Sequence, residues 1–588
     1  MLFSELAGYF EKLEAISSRL EMIDILAELF RKVKKEEISK TIYVMQGVLA
    51  PPFANLKLGV ADKIIEDAIA LSVNVPKHEI EKVYKKLGDL GLTARQLLEG
   101  KSKITLIGAR DRSVIEIYDT MTKISSLSGK GSKDMKIRLL SNLISASSPQ
   151  EAKFIVRYAL GKLRLGFGDY TILEALSLAS TNERKFRQEL ERAYNICSDL
   201  GYIGEILYSN GEEGIKHMKV TLFKPIRPAL AERVATFHQI IDKMGGNFAV
   251  EQKYDGFRCQ IHKKGDEIKI YSRNLDETTS MFPDIAEEVR KNIKEKEIIF
   301  EGEAIAFNED TGEFLPFQET IQRKRVYGIQ EKIKQVPLHL FAFDLLYLNG
   351  ESYLNKEYSK RRETLEHVLK GVNLISPANR IITGSEKELE RFFDESIENG
   401  LEGIVAKSLA SHYIAGARKF TWIKMKRSYR GELSDTIDLA IIGYYIGKGS
   451  RTEFGLGGLL CAVYNKKRDM YETVSKIGTG FSEAEMAELK KELDQIKSNS
   501  KPIRVDAIIK PDIWIEPKYI IKVRADEITK SPTHTCGMQN GIGYALRFPR
   551  LISDGSVIRK DKRAEDATTT DEIINMFKQQ KFSSIKDN

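Results

Sequence analysis

Helical periodicity dominates roughly the first two hundred residues of the chain. Apolar side chains recur at intervals of three and four residues from Phe3 to Ile23, which places them on one face of a helix. Further segments show the same spacing, and the last of them begins with a Ser-Pro helix start. The pattern predicts helices over 61–72, 79–90 and 148–160. This first part is therefore predicted to be all-α, with Gly- and Lys-bearing loops between its helices.

The periodicity changes after a basic stretch that contains two prolines. From Phe248 onward, short β-branched or aromatic segments bounded by turn residues predict strands, and helical patterns return at 360–371 and 386–400. This part is predicted to be an α+β unit. After Arg430, about five short strands separated by Gly-rich loops predict a small closed barrel of the OB type. An amphipathic helix over 570–582 is predicted to follow the barrel.

These patterns predict a multidomain fold, because 588 residues are too many for one ordinary core. The predicted domains are an all-α domain over 1–218, an α+β domain over 219–429 and an all-β OB-fold domain with a C-terminal helix over 430–588.

Composition narrows the class of protein. A hydrophobic fraction of 42% and a charged fraction of 30% are typical of a soluble globular chain, and no apolar run approaches the roughly 20 residues of a membrane span. The four cysteines are scattered without a CxxC pair, so neither a zinc site nor a disulfide framework is indicated. A reduced, cytoplasmic location is expected. The net charge of +8 permits a polyanionic partner without requiring one.

The candidate chemistry lies at Lys253-Tyr254-Asp255-Gly256. Composition alone would supply a K-x-D-G match about 0.2 times in a chain of this length, so the motif in isolation is also compatible with a plain turn between strands. Its significance comes from the polar and aromatic motifs that follow it in a fixed order. These motifs comprise Arg258 and the segments 272–274, 301–303, 343–347, 401–407 and 422–426.

This ordered set resembles the motifs of the covalent nucleotidyltransferase superfamily, which includes DNA ligases, RNA ligases and mRNA capping enzymes. The whole chain resembles the archaeal and eukaryotic ATP-dependent DNA ligases, up to a terminal motif at 547–550 and 559–562. The resemblance implies a helical DNA-binding domain, an adenylation domain and an OB-fold domain in that order. It also implies that nicks in duplex DNA are sealed in replication, repair and recombination. The implied stages are formation of Lys253–AMP, transfer of AMP to a 5′-phosphate and attack by a 3′-hydroxyl.

The resemblance also implies roles for individual side chains. Glu251 would read the adenine edge, Arg258 and Glu303 would hold the ribose, and Phe343 would pack on the base. The implied phosphate contacts are Arg273, Arg418, Lys424 and Lys426. Glu402, with Asp255 as the weaker candidate, would bind Mg²⁺ or Mn²⁺, since Mg²⁺ needs only one or two carboxylates beside waters and phosphates. Glu303 could instead be an ordinary strand-end carboxylate, Phe343 a core residue, and the two lysines a solvated pair.

A lysine nucleophile has a requirement of its own. At an unperturbed pKa near 10.4, only about one lysine amine in two thousand is neutral at pH 7. Neighbouring cations, either a metal ion or Lys424 and Lys426, are expected to lower the pKa of Lys253. Gly256 is expected to let the backbone approach the ligand closely.

Two further basic sets are predicted to serve separate stages of the reaction. Arg547, Arg550 and Lys562 of the terminal motif would stabilise the departing pyrophosphate if the barrel folds over the pocket, which requires a mobile joint near Arg430. Loops between helices of the first domain would bind DNA phosphates irrespective of base sequence, although surface loops are often basic without such a role. The predicted DNA contacts are Lys130, Lys133, Lys136, Arg138, Lys162 and Arg164.

Alternative functions remain open at the level of sequence. A capping guanylyltransferase shares the Lys-x-Asp-Gly core but does not need the long helical domain, whereas an RNA ligase is compatible with base-independent phosphate contacts. A non-enzymatic nucleic-acid-binding protein would have no reason to keep Lys253 with its ordered carboxylates. The donor could be ATP, ADP or another nucleotide. The chain is expected to act as a monomer on nicked duplex DNA away from membranes. A sliding clamp is only weakly indicated, because segment 100–111 lacks the Gln-containing aromatic peptide through which family members often bind it.

Overall fold

The computed structural model describes residues 1–100, 111–306, 320, 337–399, 401–426, 436–447, 455–478, 480–525, 527–547, 549–552 and 557–582. The chain forms two compact units, Met1–Lys424 and Met425–Asn588. Segment 100–111, which lacks the clamp-binding pattern, lies largely outside the described residues, as does the predicted joint near Arg430.

The first unit begins with a helical region whose apolar faces enclose one core. Capping boxes begin two of its helices, since Ser113 and Ser148 each bond reciprocally with the glutamate three residues later. The helices predicted over 61–72, 79–90 and 148–160 are confirmed, with bounds shifted by up to three residues, whereas the apolar spacing from Phe3 to Ile23 is divided between two helices. Helices α1–α12 are Phe3–Glu14, Arg19–Lys32, Ile38–Gln46, Asp62–Val73, Lys77–Leu87, Leu90–Glu99, Val114–Ser126, Ser132–Ser145, Pro149–Ala159, Asp169–Thr181, Arg187–Cys197 and Leu200–Lys216.

An α+β region completes the first unit, as the change of periodicity predicted. Strands β1–β11 are Leu230–Arg233, Phe248–Lys253, Phe257–Lys264, Glu267–Ser272, Glu297–Ala306, Leu338–Leu348, Glu351–Ser352, Ile375–Pro377, Arg380–Thr383, Gly403–Lys407 and Arg418–Lys426. Helices α13–α16 are Phe237–Met244, Pro283–Asn292, Tyr358–Val368 and Glu386–Glu398. One sheet has the order β1-β11-β10-β2-β9, and the other has the order β4-β3-β5-β6-β7 with β8 beside β6.

In its described residues the second unit is a β structure with two helices. Strands β12–β21 are Ile437–Tyr445, Gly458–Asn465, Met470–Ile477, Lys497–Ser498, Val505–Asp506, Ile513–Ile515, Ile520–Arg524, Glu527–Ser531, Gly543–Arg547 and Arg550–Leu551. Helices α17 and α18 are Glu483–Asp494 and Thr570–Phe582, the second of which confirms the predicted C-terminal helix. The prediction of about five strands was too low, because several observed strands have only two or three residues and carry no recognisable alternation.

The central sheet of the second unit runs β15-β17-β12-β13-β14-β16, with β18 bonded to both β12 and β21, while β19 and β20 form a separate hairpin. The four cysteines, Cys197, Cys259, Cys461 and Cys536, are buried and form no disulfide among the described residues. Within the described residues no helix combines the length and apolar character needed to cross a membrane.

Candidate active site

Both sheets of the α+β region contribute to a cavity of about 580 Å³. Lys253 lies at the end of β2 in this cavity. Most of the predicted nucleotide contacts line the same cavity, so residues that are far apart along the chain are brought together. These are Glu251, Arg258, Arg273, Glu303, Phe343, Arg418 and Lys424.

The pairing of β2 with β10 fixes the surroundings of Lys253. Their antiparallel register sets Lys253 opposite Gly403, and the amide of Glu402 donates to the carbonyl oxygen of Lys253 at 2.9 Å. Glu402, one residue before β10, is thereby held beside Lys253, and its carboxylate accepts the Lys253 ammonium in an ion pair. Sheet register therefore brings together two residues that are 149 positions apart in the sequence.

The turn after Lys253 is held by packing. The Tyr254 ring stacks on Phe341 with a centroid separation of 4.0 Å, and a Cβ at Gly256 would overlap the carbonyl oxygen of Ala304. Glycine is therefore required at position 256 because β5 approaches the turn closely. Gly256 also lines the cavity, so its predicted close approach to a ligand stays a prediction beside this packing requirement.

Three carboxylates together outweigh the effect of burial on the pKa of Lys253. Burial is the largest single influence and lowers the pKa of the amine, but Glu402, Glu303 and Asp255 together raise the pKa above the ordinary lysine value. This direction is opposite to the one expected from neighbouring cations, because the charged groups that act most strongly on the amine are acidic. The chain alone therefore holds Lys253 as an ammonium ion.

The pKa of Glu303 is also shifted by these surroundings. Burial raises the pKa of its carboxyl to about 7, Lys253 and Arg258 oppose that rise, and Glu402 and Asp255 add to it. Glu303 is therefore poised to exchange a proton near neutral pH. A strand-end carboxylate in solvent would not have such a pKa, which favours a functional role for this residue.

Arg258 is held by a buried partner that sequence reasoning missed. The guanidinium donates to Glu301 at 2.8 and 3.3 Å and to the carbonyl oxygen of Ala229 at 3.0 Å. The Glu301 carboxylate also accepts from the Tyr413 hydroxyl at 2.7 Å. Glu301 and Glu303 are two residues apart on β5 and share a face, so this spacing was a signal for a paired role.

Glu251 belongs to a second buried network. Its carboxylate accepts from the Tyr358 hydroxyl at 2.5 Å and from Arg362 at 2.9 Å, and it forms an ion pair with Lys407 at 2.7 Å. Burial lowers the pKa of Lys407 despite the attraction of Glu251. The ammonium of Lys407 also lies 4.9 Å from the centre of the Phe343 ring. Lys407 lines the cavity, yet no role was predicted for it.

Phe343 is partly buried rather than a closed core residue. Its ring lies edge-on to Trp422 at 6.1 Å, and the Arg258 guanidinium lies 5.2 Å from its centre. The Phe343 ring, which lies near the cations of Arg258 and Lys407, is partly accessible and can pack against a planar base.

The remaining predicted phosphate contacts differ in their surroundings. Arg273 and Arg418 are exposed at the cavity, and Lys424 lines it from β11 with partial exposure. Lys426 follows on the same strand and falls in the second unit. Asp255 is an electrostatic neighbour of both Lys253 and Glu303.

The terminal motif lies in the second unit. Arg550 is exposed on β21, and the Lys562 ammonium donates to Asp438 at 2.5 Å. Arg547 is the last residue of β20, and its partner across the hairpin is Glu527. Phe548 lies outside the described residues.

The predicted DNA contacts fall into two groups. Lys133, Lys136 and Arg138 lie on helix α8 and not on a loop, which corrects the predicted location. Gly131, the N-cap residue of this helix, has a left-handed φ of 83° and no side chain to cap the helix. The start of the helix therefore carried no capping signal in the sequence. Lys130 precedes the helix in a turn.

Lys162 and Arg164 form the second group, between α9 and α10. They line another cavity of the first unit, of about 780 Å³, together with Arg273. Arg164 donates to the buried carboxylate of Asp89 at 2.7 Å, so part of its charge is already matched. Lys162 is exposed.

Comparison with known proteins gives consistent matches along the chain. The family models for the DNA ligase N terminus, the ATP dependent DNA ligase domain and the ATP dependent DNA ligase C terminal region match residues 2–177, 228–426 and 452–562. A probable DNA ligase of Dictyoglomus turgidum is 48% identical over 100% of this chain and 99% of its own length. A DNA ligase of Sulfurisphaera tokodaii is 44% identical over 98% of each chain.

A solved structure named Pmar-Lig_PreS3 is similar with a TM-score of 0.57 at 15% identity, over 93% of this chain and 98% of that one. At this identity the likeness concerns the fold alone. The family models and the full-length relatives carry the assignment, and they agree with the ordered motifs around Lys253. The chain belongs to the ATP-dependent DNA ligase family.

Proposed function

We propose that the protein seals nicks in duplex DNA through a covalent Lys253–AMP intermediate. The observation that carries this proposal is the position of Lys253 in a nucleotide-sized cavity, paired with Glu402 and surrounded by further carboxylates. The Lys253 amine attacks the α-phosphorus of ATP, a P–N bond forms, pyrophosphate leaves and the amine loses a proton. AMP then passes to a DNA 5′-phosphate, and the 3′-hydroxyl displaces it as the phosphodiester forms. Such displacements depend mainly on positioning and charge neutralisation.

The nucleotide contacts follow from the two buried networks. Glu301 holds the Arg258 guanidinium beside Glu303, where both groups can bind the ribose. Tyr358, Arg362 and Lys407 hold Glu251 for the adenine edge, and Phe343 packs on the base. Arg273, Arg418, Lys424 and Lys426 bind phosphate.

The carboxylates at Lys253 fit a magnesium ion by their chemistry. Mg²⁺ prefers oxygen ligands, commonly takes only one or two carboxylates and completes its shell with water and phosphate oxygens. No cluster of three or more metal-binding side chains occurs in the described residues. Glu402 and Asp255 would hold the ion. When bound, it would supply positive charge that offsets the carboxylates and lowers the pKa of the Lys253 amine.

Each of the three proposed domains has its own role in the reaction. Residues 1–218 bind duplex DNA through Lys130, Lys133, Lys136, Arg138, Lys162 and Arg164, residues 219–429 carry out adenylation, and residues 430–588 form an OB-type domain. In the first stage, Arg547, Arg550 and Lys562 stabilise pyrophosphate. The later stages need DNA at the same place, so the OB-type domain moves about a joint near Arg430. The enzyme acts as a monomer, and a sliding clamp is only a weakly indicated partner.

The chemistry can be tested with α-labelled ATP and magnesium. The wild-type chain should retain label through denaturing electrophoresis, the Lys253→Ala variant should retain none, and γ-labelled ATP should leave no label on either. Lys264→Ala, at the exposed end of the adjacent strand β3, is the matched control and should behave as wild type. Label that persists in Lys253→Ala would contradict the proposal.

A second assay identifies the polymer and the donor. Nicked duplex DNA, nicked duplex RNA and single-stranded RNA are offered in parallel with ATP or ADP. Sealing of nicked DNA with ATP is expected. Sealing confined to RNA would establish an RNA ligase instead.

A further inference from the structure

Two residues of the helical region line the nucleotide cavity. Asn55 and Lys57, in the connection between α3 and α4, border it together with Lys253 and Arg273. The helical region is assigned to DNA binding, so a contribution to the nucleotide site is unexpected. Within the first unit, this connection reaches the cavity from outside the α+β region.

The connection is held on both sides of Lys57. On one side, Asn55 adopts a left-handed φ of 54°, and its amide donates to the carbonyl oxygen of Glu277 at 3.3 Å and to the Glu277 carboxylate at 3.1 Å. On the other side, the Lys136 ammonium donates to the carbonyl oxygen of Gly59 at 3.1 Å. Lys57 is therefore presented at the cavity by a fixed backbone and not by a loose loop.

The charge of Lys57 is available to a ligand. Its ammonium lies 3.6 Å from the Asp276 carboxylate, and the two side chains are 74% and 38% exposed. Arg258, by contrast, is 15% exposed and paired with a carboxylate that is 1% exposed. An exposed pair of this kind contributes little stability, so a phosphate can replace Asp276 at small cost.

We propose that Lys57 binds the phosphates of ATP beyond the α-phosphate, so that the helical region takes part in self-adenylylation. This inference rests on the proposed function. The α-phosphorus must meet the Lys253 amine, and in-line displacement directs the leaving pyrophosphate away from that amine. The carboxylates around Lys253 repel phosphate, whereas Lys57 and Arg273 offer exposed positive charge at the same cavity. Lys57 thus serves the first stage and not the sealing of an adenylylated nick.

Calorimetric titration of the full chain tests the contact without covalent turnover. In a Lys253→Ala background, Lys57→Ala should weaken ATP binding about five- to tenfold, the effect of one exposed charge-assisted contact. Affinity for AMP should stay unchanged because AMP lacks the outer phosphates. Lys57→Arg should restore ATP binding. Lys63→Ala, an exposed lysine of α4 that does not border the cavity, is the matched control.

Unchanged ATP affinity in Lys57→Ala would overturn the proposal, as would an equal loss for AMP. Sealing of a nick that already carries AMP should be unaffected by Lys57→Ala when Lys253 is intact. A parallel loss of that activity would make Lys57 a DNA contact and would also overturn the proposal. Failure of the proposed function itself is distinguishable, because the wild-type chain would then form no Lys253–AMP. Equal melting temperatures of the variants confirm that each is folded.

Discussion

Replacement of Glu303 by glutamine removes one ionisable carboxyl from the site and leaves the size of the side chain nearly unchanged. Burial is the main cause of the raised pKa of this carboxyl, about 7 in the folded chain. Glutamine has the shape of the protonated acid but cannot ionise. The variant therefore reproduces the low-pH form of the site at every pH and isolates the cost of the negative charge.

The pKa sets the size and sign of the effect. A rise from 4.5 to about 7 corresponds to about 3 kcal/mol. Between these values the folded chain keeps a proton that the unfolded chain has released, so stability falls as the pH rises through this window. The stabilising contribution of the bound proton is fully present below pH 4.5 and is lost above about pH 7. Glu303→Gln should escape this loss.

Calorimetric unfolding at pH 5 and pH 8 measures the difference. Wild type and Glu303→Gln should be close in stability at pH 5, whereas at pH 8 the variant should be more stable by about 3 kcal/mol, a rise of about a few degrees in Tm. Adenylylation should nevertheless be lost, because a ribose contact is removed. Glu267→Gln, an exposed carboxylate on β4, should change stability by less than about 0.5 kcal/mol at either pH. A Glu303→Gln variant that is less stable than wild type at pH 8, or whose gain is independent of pH, would refute this reasoning.

Three other variants address separate parts of the structure. Glu301→Gln should lower the free energy of unfolding by about 3 kcal/mol in chemical denaturation and abolish adenylylation, because the Arg258 charge loses its buried partner. Adding Arg258→Met should restore stability without activity. An unrestored stability would contradict the pairing of the two residues. Gly256→Ala should lower stability by about 2 kcal/mol in thermal unfolding, since its Cβ would overlap the Ala304 carbonyl oxygen; an unchanged Tm would show that β5 can yield. Arg550→Ala should impair formation of the protein–AMP adduct while a pre-adenylylated enzyme still seals nicks, and equal loss of both activities would refute the separation of stages.

The sequence predicted the helical, α+β and β parts because each has a repeating apolar period over many residues. Lys253 and most of the nucleotide contacts implied by the family resemblance line one cavity, because the family's motifs consist of particular residue types at short spacings within strands and turns. The surroundings of Lys253 depend instead on register. Glu402 reaches Lys253 through the pairing of β2 with β10, and no local pattern specifies that pairing.

Buried partners of charged residues were the main omission. Glu301, Tyr358 and Arg362 contribute hydrogen bonds to Arg258 or Glu251, but their own neighbours in sequence resemble any strand end or amphipathic helix. The basic residues of α8 were misplaced for a related reason. Gly131 and the lysines around it are typical of a loop, while the apolar face of that helix begins only at Leu140 among its buried residues.

Glu301 and Glu303 share one face of β5 yet act in opposite ways on the folded chain. Glu301 has its charge matched by Arg258 and by the Tyr413 hydroxyl, so its negative charge fixes a geometry. Glu303 carries a charge that burial disfavours, so its negative charge opposes folding at neutral pH. The same carboxylate helps to hold the Lys253 amine protonated, together with Glu402 and Asp255. A protonated lysine cannot attack phosphorus, so the proposed function requires a positive charge near Lys253 that the surrounding carboxylates do not supply. The magnesium ion proposed to bind with ATP would supply that charge.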